Sequence, residues 1–251
     1  MRVLLTNDDG IFGHGLRSIY TALCNAGHTV DVVAPITEQS AVSSAITIRG
    51  ALRVERIEEY AFMGTGVFGT PSDCVRLALS ELLPHKPDIV ISGINAGANV
   101  GTDIRYSGTI AAACEAAQLQ LPALALSSDS FNKDFPMHDY AAYAVSLMEK
   151  FPWNSLPLQR VININFPAIP FHEHKGLVIC SHSSAPWVNK YIKQDDAQGS
   201  PHWHLDWDVD LPNASAETDR SKLSAGHITL TPLKFSFTDK ALMESLAHFT
   251  L

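Results

Sequence analysis

Residues 1–35 constrain this chain more than any other stretch. Arg2 to Thr6 is a short apolar run cut off by Asn7-Asp8-Asp9-Gly10, and it reads as a buried strand. Leu16, Ile19, Tyr20 and Leu23 follow at helical spacing, with Gly27 as the stop. His28 to Pro35 is a second strand. A strand, a helix and a strand in succession call for a parallel pair joined by a crossover, and so for an α/β sheet.

The alternation continues. Ile36 to Ser44 is a polar loop, and Ala45 to Ile57 alternates with β-branched residues as strands do. Thr70-Pro71-Ser72-Asp73 is a helix start: Thr70 caps, Pro71 takes the first helical position and Asp73 reaches back. That helix should run to about Leu83. Strands are expected at Asp88–Ile94, Pro122–Ser127 and Arg160–Phe166, with helices at Thr109–Leu119 and Tyr140–Lys150. After Pro167 the character changes, as His, Trp, Pro and Asp become frequent. Gly176–Ser181, Trp203–Val209 and His227–Phe237 read as strands of an antiparallel extension, and Asp239–His248 as a terminal helix. Trp203, Leu205, Trp207 and Val209 would share one strand face, as in a half-buried strand or one that packs on a partner subunit. The expected division is a core over residues 1–167 and an embellishment, not an independent domain, over 168–251.

Composition narrows the function. The 251 residues carry 18 basic and 26 acidic side chains, a formal net charge of -8, which disfavours a nucleic-acid polymer as partner. With 46% hydrophobic residues a large core is available, yet no apolar run is long enough to span a bilayer, so no membrane partner is expected. Cys24, Cys74, Cys114 and Cys180 are widely spaced without a CxxC pair, which suits a reducing cytoplasm better than a disulfide framework.

Asp8 and Asp9 fall directly after the first strand. In an open parallel sheet, ligands bind beyond the carboxyl ends of the strands. Two adjacent carboxylates there repel each other and call for a cation or for hydrogen-bond donors. A turn with an Asx cap would also accommodate them. Ser40 lies after the second strand and Asn95 after the third, so parallel neighbours would bring Asp8, Asp9, Ser40 and Asn95 to one edge. Carboxylate, hydroxyl and carboxamide oxygens are the donors that Mg²⁺, Mn²⁺ or Ca²⁺ takes. The glycine- and asparagine-rich stretch Asn95–Gly108 then feeds a helix start. Ser107 and Thr109 there are either plain caps or, beside a metal, donors to an anion. The absent signatures also count. Gly10, Gly13 and Gly15 do not match GxGxxG, and no Walker A, GxSxG or HExxH sequence exists. The aspartyl-nucleophile DxDx[TV] pattern fails at Asp8-Asp9-Gly10-Ile11. His172, His174, His182, His202 and His204 show no compact ligand pattern and read as surface or interface residues.

LLTNDDGIFGHGL, VVAPITEQSAVSSAIT, GTPSDCVRLAL, ISGINAGANVGTDIRYSGTIAAACEA and HITLTPL, spread over almost the whole chain, resemble the SurE (survival protein E) family of metal-dependent 5′-nucleotidases. The resemblance implies a Rossmann-like, three-layer, mostly parallel α/β core with a C-terminal β-rich extension used for dimer or tetramer exchange. It implies hydrolysis of nucleoside 5′-monophosphates, with 3′-monophosphates and short polyphosphate as further substrates. One divalent cation, Mg²⁺ or Mn²⁺, would sit on Asp8, Asp9, Ser40 and Asn95, with Asp8 or Asp9 as the proton acceptor. Asn99, Ser107, Gly108 and Thr109 would contact phosphate. The alternative is a non-catalytic, metal-dependent nucleotide-binding regulator on the same fold. Three departures from the family's pattern stand out: His14, the stretch Ala41-Val42-Ser43-Ser44 where glycine is usual, and His227 in place of an aromatic.

Overall fold

A computed structural model describes residues 1–132, 134–185, 190–196, 199–206, 215–247 and 249. In chain order it contains β1 (Arg2–Thr6), α1 (His14–Asn25), β2 (Thr29–Pro35), β3 (Val54–Glu59), β4 (Phe62–Val67) and α2 (Pro71–Leu77). Then come β5 (Ile89–Ala96), α3 (Gly108–Gln118), β6 (Ala123–Ser128), α4 (His138–Lys150) and β7 (Arg160–Phe166). The last are β8 (Leu177–Ile179), β9 (Lys190–Asp195), β10 (Pro201–Asp206), α5 (Asp219–Ser224), β11 (Ile228–Lys234) and α6 (Lys240–Leu246).

Nine strands form one sheet in the order β3-β4-β2-β1-β5-β6-β7-β11-β8. The six strands from β4 to β7 run parallel. Each central strand is buried on both faces, which is why its sequence reads as an unbroken apolar run. Val3, Leu5, Ile91, Leu126 and Ile164 pack against α1 and α4, through Leu16, Ile19, Tyr140 and Met148. Leu4, Val90, Ala125 and Val161 pack on the other face against α2 and α3. Helix α3 is nearly all alanine where it meets the sheet, so its backbone lies close. Three layers result, as expected.

Thr70 opens α2 with the anticipated reciprocal cap. Its hydroxyl accepts from Asp73 N at 3.1 Å while Asp73 Oδ2 accepts from Thr70 N at 3.0 Å. Asp73 also accepts from Thr47 N and Thr47 Oγ1, at 2.9 and 2.7 Å, and so ties down residues expected to be a strand. The strand begins only at Val54, forms the edge of the sheet and pairs antiparallel with β4. The helix at 71–77 runs on through a wider π turn, Ala78–Leu82.

The antiparallel extension takes a different form. β11 pairs antiparallel with β7, and β8 pairs parallel with β11, so both belong to the main sheet. The cause is the otherwise open edge of β7, which buried Ile228, Leu230 and Leu233 help to cover. Only the β9–β10 hairpin stands apart as a two-stranded sheet. Of the face expected to be half-buried or to pack on a partner subunit, Trp203 is 58% exposed, and Trp207 and Val209 lie outside the described residues.

Candidate functional site

The site grows from the carboxyl ends of β1, β2 and β5, three adjacent strands. Asp8 and Asp9 leave β1. Gln39 N, in the loop after β2, donates to Asp8 O at 2.7 Å. Ala96 N, at the end of β5, donates to Asp9 Oδ2 at 3.0 Å. The Asp8-Asp9 pair is therefore bonded directly to the loop that carries Ser40 and to the end of the strand that carries Asn95. Between Ser92 and Asn95 the register of β5 against β6 slips by one residue, and the Gly93–Ile94 peptide within that slip is cis. Bulges of this kind redirect side chains and recur beside active sites. Asn95 follows the slip, and its Nδ2 donates to Gly97 O at 2.7 Å, which leaves Oδ1 as its outward acceptor. Ser40 is exposed and donates its hydroxyl to Glu38 Oε1 at 2.6 Å, leaving its oxygen lone pairs open.

Helix α3 aims its N-terminus at Asp8. The Thr109 hydroxyl donates to Asp8 Oδ1, and the backbone N–H groups of Gly108 and Thr109 add to the same carboxyl. Gly108 permits this approach, since a Cβ there would lie 2.9 Å from Asp8 Oδ2. Thr109 is fully buried, so its hydroxyl serves Asp8. Ser107 accepts from Ile110 N at 3.1 Å and caps α3. Asn99 is buried, and its Nδ2 donates to Ser127 Oγ at 2.9 Å. His14 is exposed at the start of α1, and the hydrogen bonds that hold the Asp8 and Asp9 carboxyls come instead from Thr109 and Ala96.

Electrostatics single out the pair. Burial raises Asp8 above the ordinary carboxylate range despite the bonds from Thr109 and Gly108. Burial, then the charge of Asp8 and that of Glu38, push Asp9 up to about 7, against the opposing bond from Ala96 N. Among the described residues neither carboxylate has an ion pair. Nor do three or more His, Cys, Asp or Glu side chains converge anywhere among them. The donor set is two carboxylates, a hydroxyl and a carboxamide oxygen. Every member is an oxygen donor and, among the described residues, no cation offsets the charge, so these residues fit a hard divalent cation.

The departures noted in the sequence have structural counterparts. Ala41 and Ser43 occupy left-handed backbone, φ 59° and 55°, where glycine would be unstrained. Ser43 N donates to Tyr106 O at 3.0 Å and Ser43 Oγ to Arg105 O at 2.7 Å. These bonds clamp the loop after β2 to the segment before α3 and hold the left-handed turn in place.

A Rossmann-like α/β sheet with paired carboxylates at its carboxyl edge and oxygen donors on the neighbouring strand ends defines a class: acidic α/β proteins with a hard-cation type of centre. The family model described as "Survival protein SurE" matches residues 3–189. Among curated relatives, the 5′-nucleotidase SurE of Desulfovibrio desulfuricans is 52% identical over 243 residues, covering 95% of each chain. That of Nitratidesulfovibrio vulgaris is 51% identical over 98% of each chain, and that of Lawsonia intracellularis 39% identical over 98% of each. The crystal structure of the SurE protein from Aquifex aeolicus superposes with a TM-score of 0.84 at 30% identity, over 99% of each chain. The chain belongs to the SurE family.

Proposed function

We propose that the protein is a 5′-nucleotidase that hydrolyses nucleoside 5′-monophosphates with one divalent cation, Mg²⁺ or Mn²⁺. The observation that carries this reading is the uncompensated pair of buried Asp8 and half-buried Asp9 at the carboxyl edge of the sheet. The names of the curated relatives supply the reaction class. Asp8, Asp9, Ser40 and Asn95 would hold the cation. When bound, it supplies positive charge for phosphoryl oxygens and lowers the pKa of a water. The residues of the chain prepare the rest. Thr109 and the start of α3 fix the Asp8 carboxyl, and the Ala96 N–H fixes Asp9. Asn99 and Ser107 would serve as hydrogen-bonding groups for the phosphoryl oxygens. Asp8 or Asp9 would take the proton from water.

The test is phosphate release from a panel of 5′-AMP, 3′-AMP and tripolyphosphate with Mn²⁺. Release from 5′-AMP over many turnovers is expected. A protein that binds AMP without releasing phosphate would instead be the regulatory binder.

Self-association is part of the proposal. On β9 and β10, Tyr191, Ile192 and Trp203 are exposed, and on α6 so are Leu242, Met243 and Leu246. A lone two-stranded sheet is marginally stable, so a second copy of the chain is the fitting cover. Light scattering should give a dimer or tetramer mass, and a monomer would reject this element. A cytoplasmic location is part of the proposal, since the four cysteines are free thiols and suit a reducing compartment.

A further inference from the structure

Loop 97–107, between β5 and α3, carries Asn99 and ends at Ser107. Residues far away in the chain hold it. Asn165 on β7 closes a reciprocal pair with the backbone of residue 99. Asn99 N donates to Asn165 Oδ1 at 2.7 Å, and Asn165 Nδ2 donates to Asn99 O at 3.1 Å. The two bonds together fix which way the Asn165 carboxamide points. Asn163 Nδ2 adds a third bond to Asn99 O, at 2.9 Å. Two residues further along the loop, Gly101 N donates to Asp219 Oδ2 at 2.8 Å. The other oxygen of Asp219, on α5, accepts from Ser183 N and Arg220 N, at 2.8 and 2.7 Å. Arg220 reaches back to Val100 O at 3.3 Å and pairs with Asp103.

Asn163, Asn165 and Asp219 are fully buried. Asparagine is unfavourable within a strand, and a polar side chain under a helix layer costs desolvation unless bonded. A leucine at 163 or 165 would serve the core better. What these side chains touch is the loop that presents Asn99.

We propose that Asn165 and Asp219 are positioning residues that set the backbone of residues 99–101 and thereby aim Asn99 at the phosphoryl group. This rests on the reading of Asn99 given above. The stretch after residue 167 then takes part in catalysis through α5, beyond any part it plays in assembly. Asn95 lies upstream of Gly97 and is held by its own bonds, so the device acts on the phosphate side of the site and spares the cation side.

The test uses the full chain. Asn165→Leu keeps the number of side-chain heavy atoms and removes the reciprocal pair. Asp219→Ala removes both acceptor oxygens, and Asp219→Asn keeps one. With AMP and Mn²⁺, kcat/KM should fall on the order of 100-fold in Asn165→Leu, most of it in kcat, as misplacement in a catalytic site commonly gives. Mn²⁺ binding, measured by calorimetry without nucleotide, should match the wild type. Asp219→Asn should recover activity relative to Asp219→Ala. Wild-type kcat/KM in Asn165→Leu and Asp219→Ala overturns the proposal, and so does a loss of Mn²⁺ affinity in step with kcat/KM. If Asn165→Leu does not fold, the ranking of the two Asp219 variants decides in the same way. Turnover by the wild type and its loss in Asn99→Ala test the underlying reading separately.

Discussion

Asp9→Asn separates stability from activity. Burial and the charges of Asp8 and Glu38 push the Asp9 carboxyl up to about 7, while in the unfolded chain it titrates near 3.9. The folded state therefore holds this proton more tightly. Its stabilising contribution is complete below the unfolded value and disappears as pH rises to about 7. Each pH unit in that window is worth about 1.4 kcal/mol, so the cation-free wild type loses at most about 4 kcal/mol across it, and at most about 3 kcal/mol of that above pH 5. Asparagine has no such titration, and its carbonyl oxygen still accepts from Ala96 N. In EDTA the variant should be more stable than the wild type at pH 8, by a gap that narrows by about 2–3 kcal/mol on going to pH 5. Turnover of AMP should be lost. Urea unfolding at both pH values, monitored by circular dichroism, reads the gap. A variant less stable than the wild type at pH 8, or a gap that ignores pH, would refute the electrostatic account of Asp9.

Other changes follow from single contacts. Thr109→Val removes the hydroxyl that orients Asp8 and should weaken Mn²⁺ binding about 10- to 100-fold in calorimetry, the usual effect of losing a ligand's supporting bond. Gly15→Ala should abolish soluble expression, because its Cβ would sit 1.9 Å from Ile94 O on β5. Thr70→Ala should lower stability by about 1 kcal/mol in urea melts through loss of the α2 cap, with kcat for AMP unchanged. Trp203→Ser should shift the mass in light scattering toward the monomer, since this ring stands exposed on the hairpin.

How far the sequence could be read depended on local signal. The central strands were legible because burial on both faces leaves continuous apolar runs, and α2 was legible from Thr70-Pro71-Ser72-Asp73. β4 was not: Met63-Gly64-Thr65-Gly66 lacks strand alternation, and pairing with β2 and β3 is what holds it extended. Nor was α5, a single short polar turn set by Asp219. That Asp8, Asp9, Ser40 and Asn95 sit at neighbouring strand ends was legible from the strand–helix alternation, and Asp8 and Asp9 bond to the loop after β2 and to the end of β5. The rest of the site is written in long-range pairs. Thr109 meets Asp8 across 101 residues, and Gly101 meets Asp219 across 118. No spacing rule reports such pairs. Asn163 and Asn165 read only as strand interior, and β8 and β11 as part of an extension, until the edge of β7 was known.

The central claim is that a divalent cation on the Asp8-Asp9 centre is needed to release phosphate from a nucleoside 5′-monophosphate. The direct measurement is inorganic phosphate produced from AMP by protein dialysed against EDTA, before and after Mn²⁺ is restored. The account predicts no release beforehand and full turnover afterwards, with Asp9→Asn inactive in both. Turnover of AMP that persists in EDTA, or that Asp9→Asn retains, would contradict it.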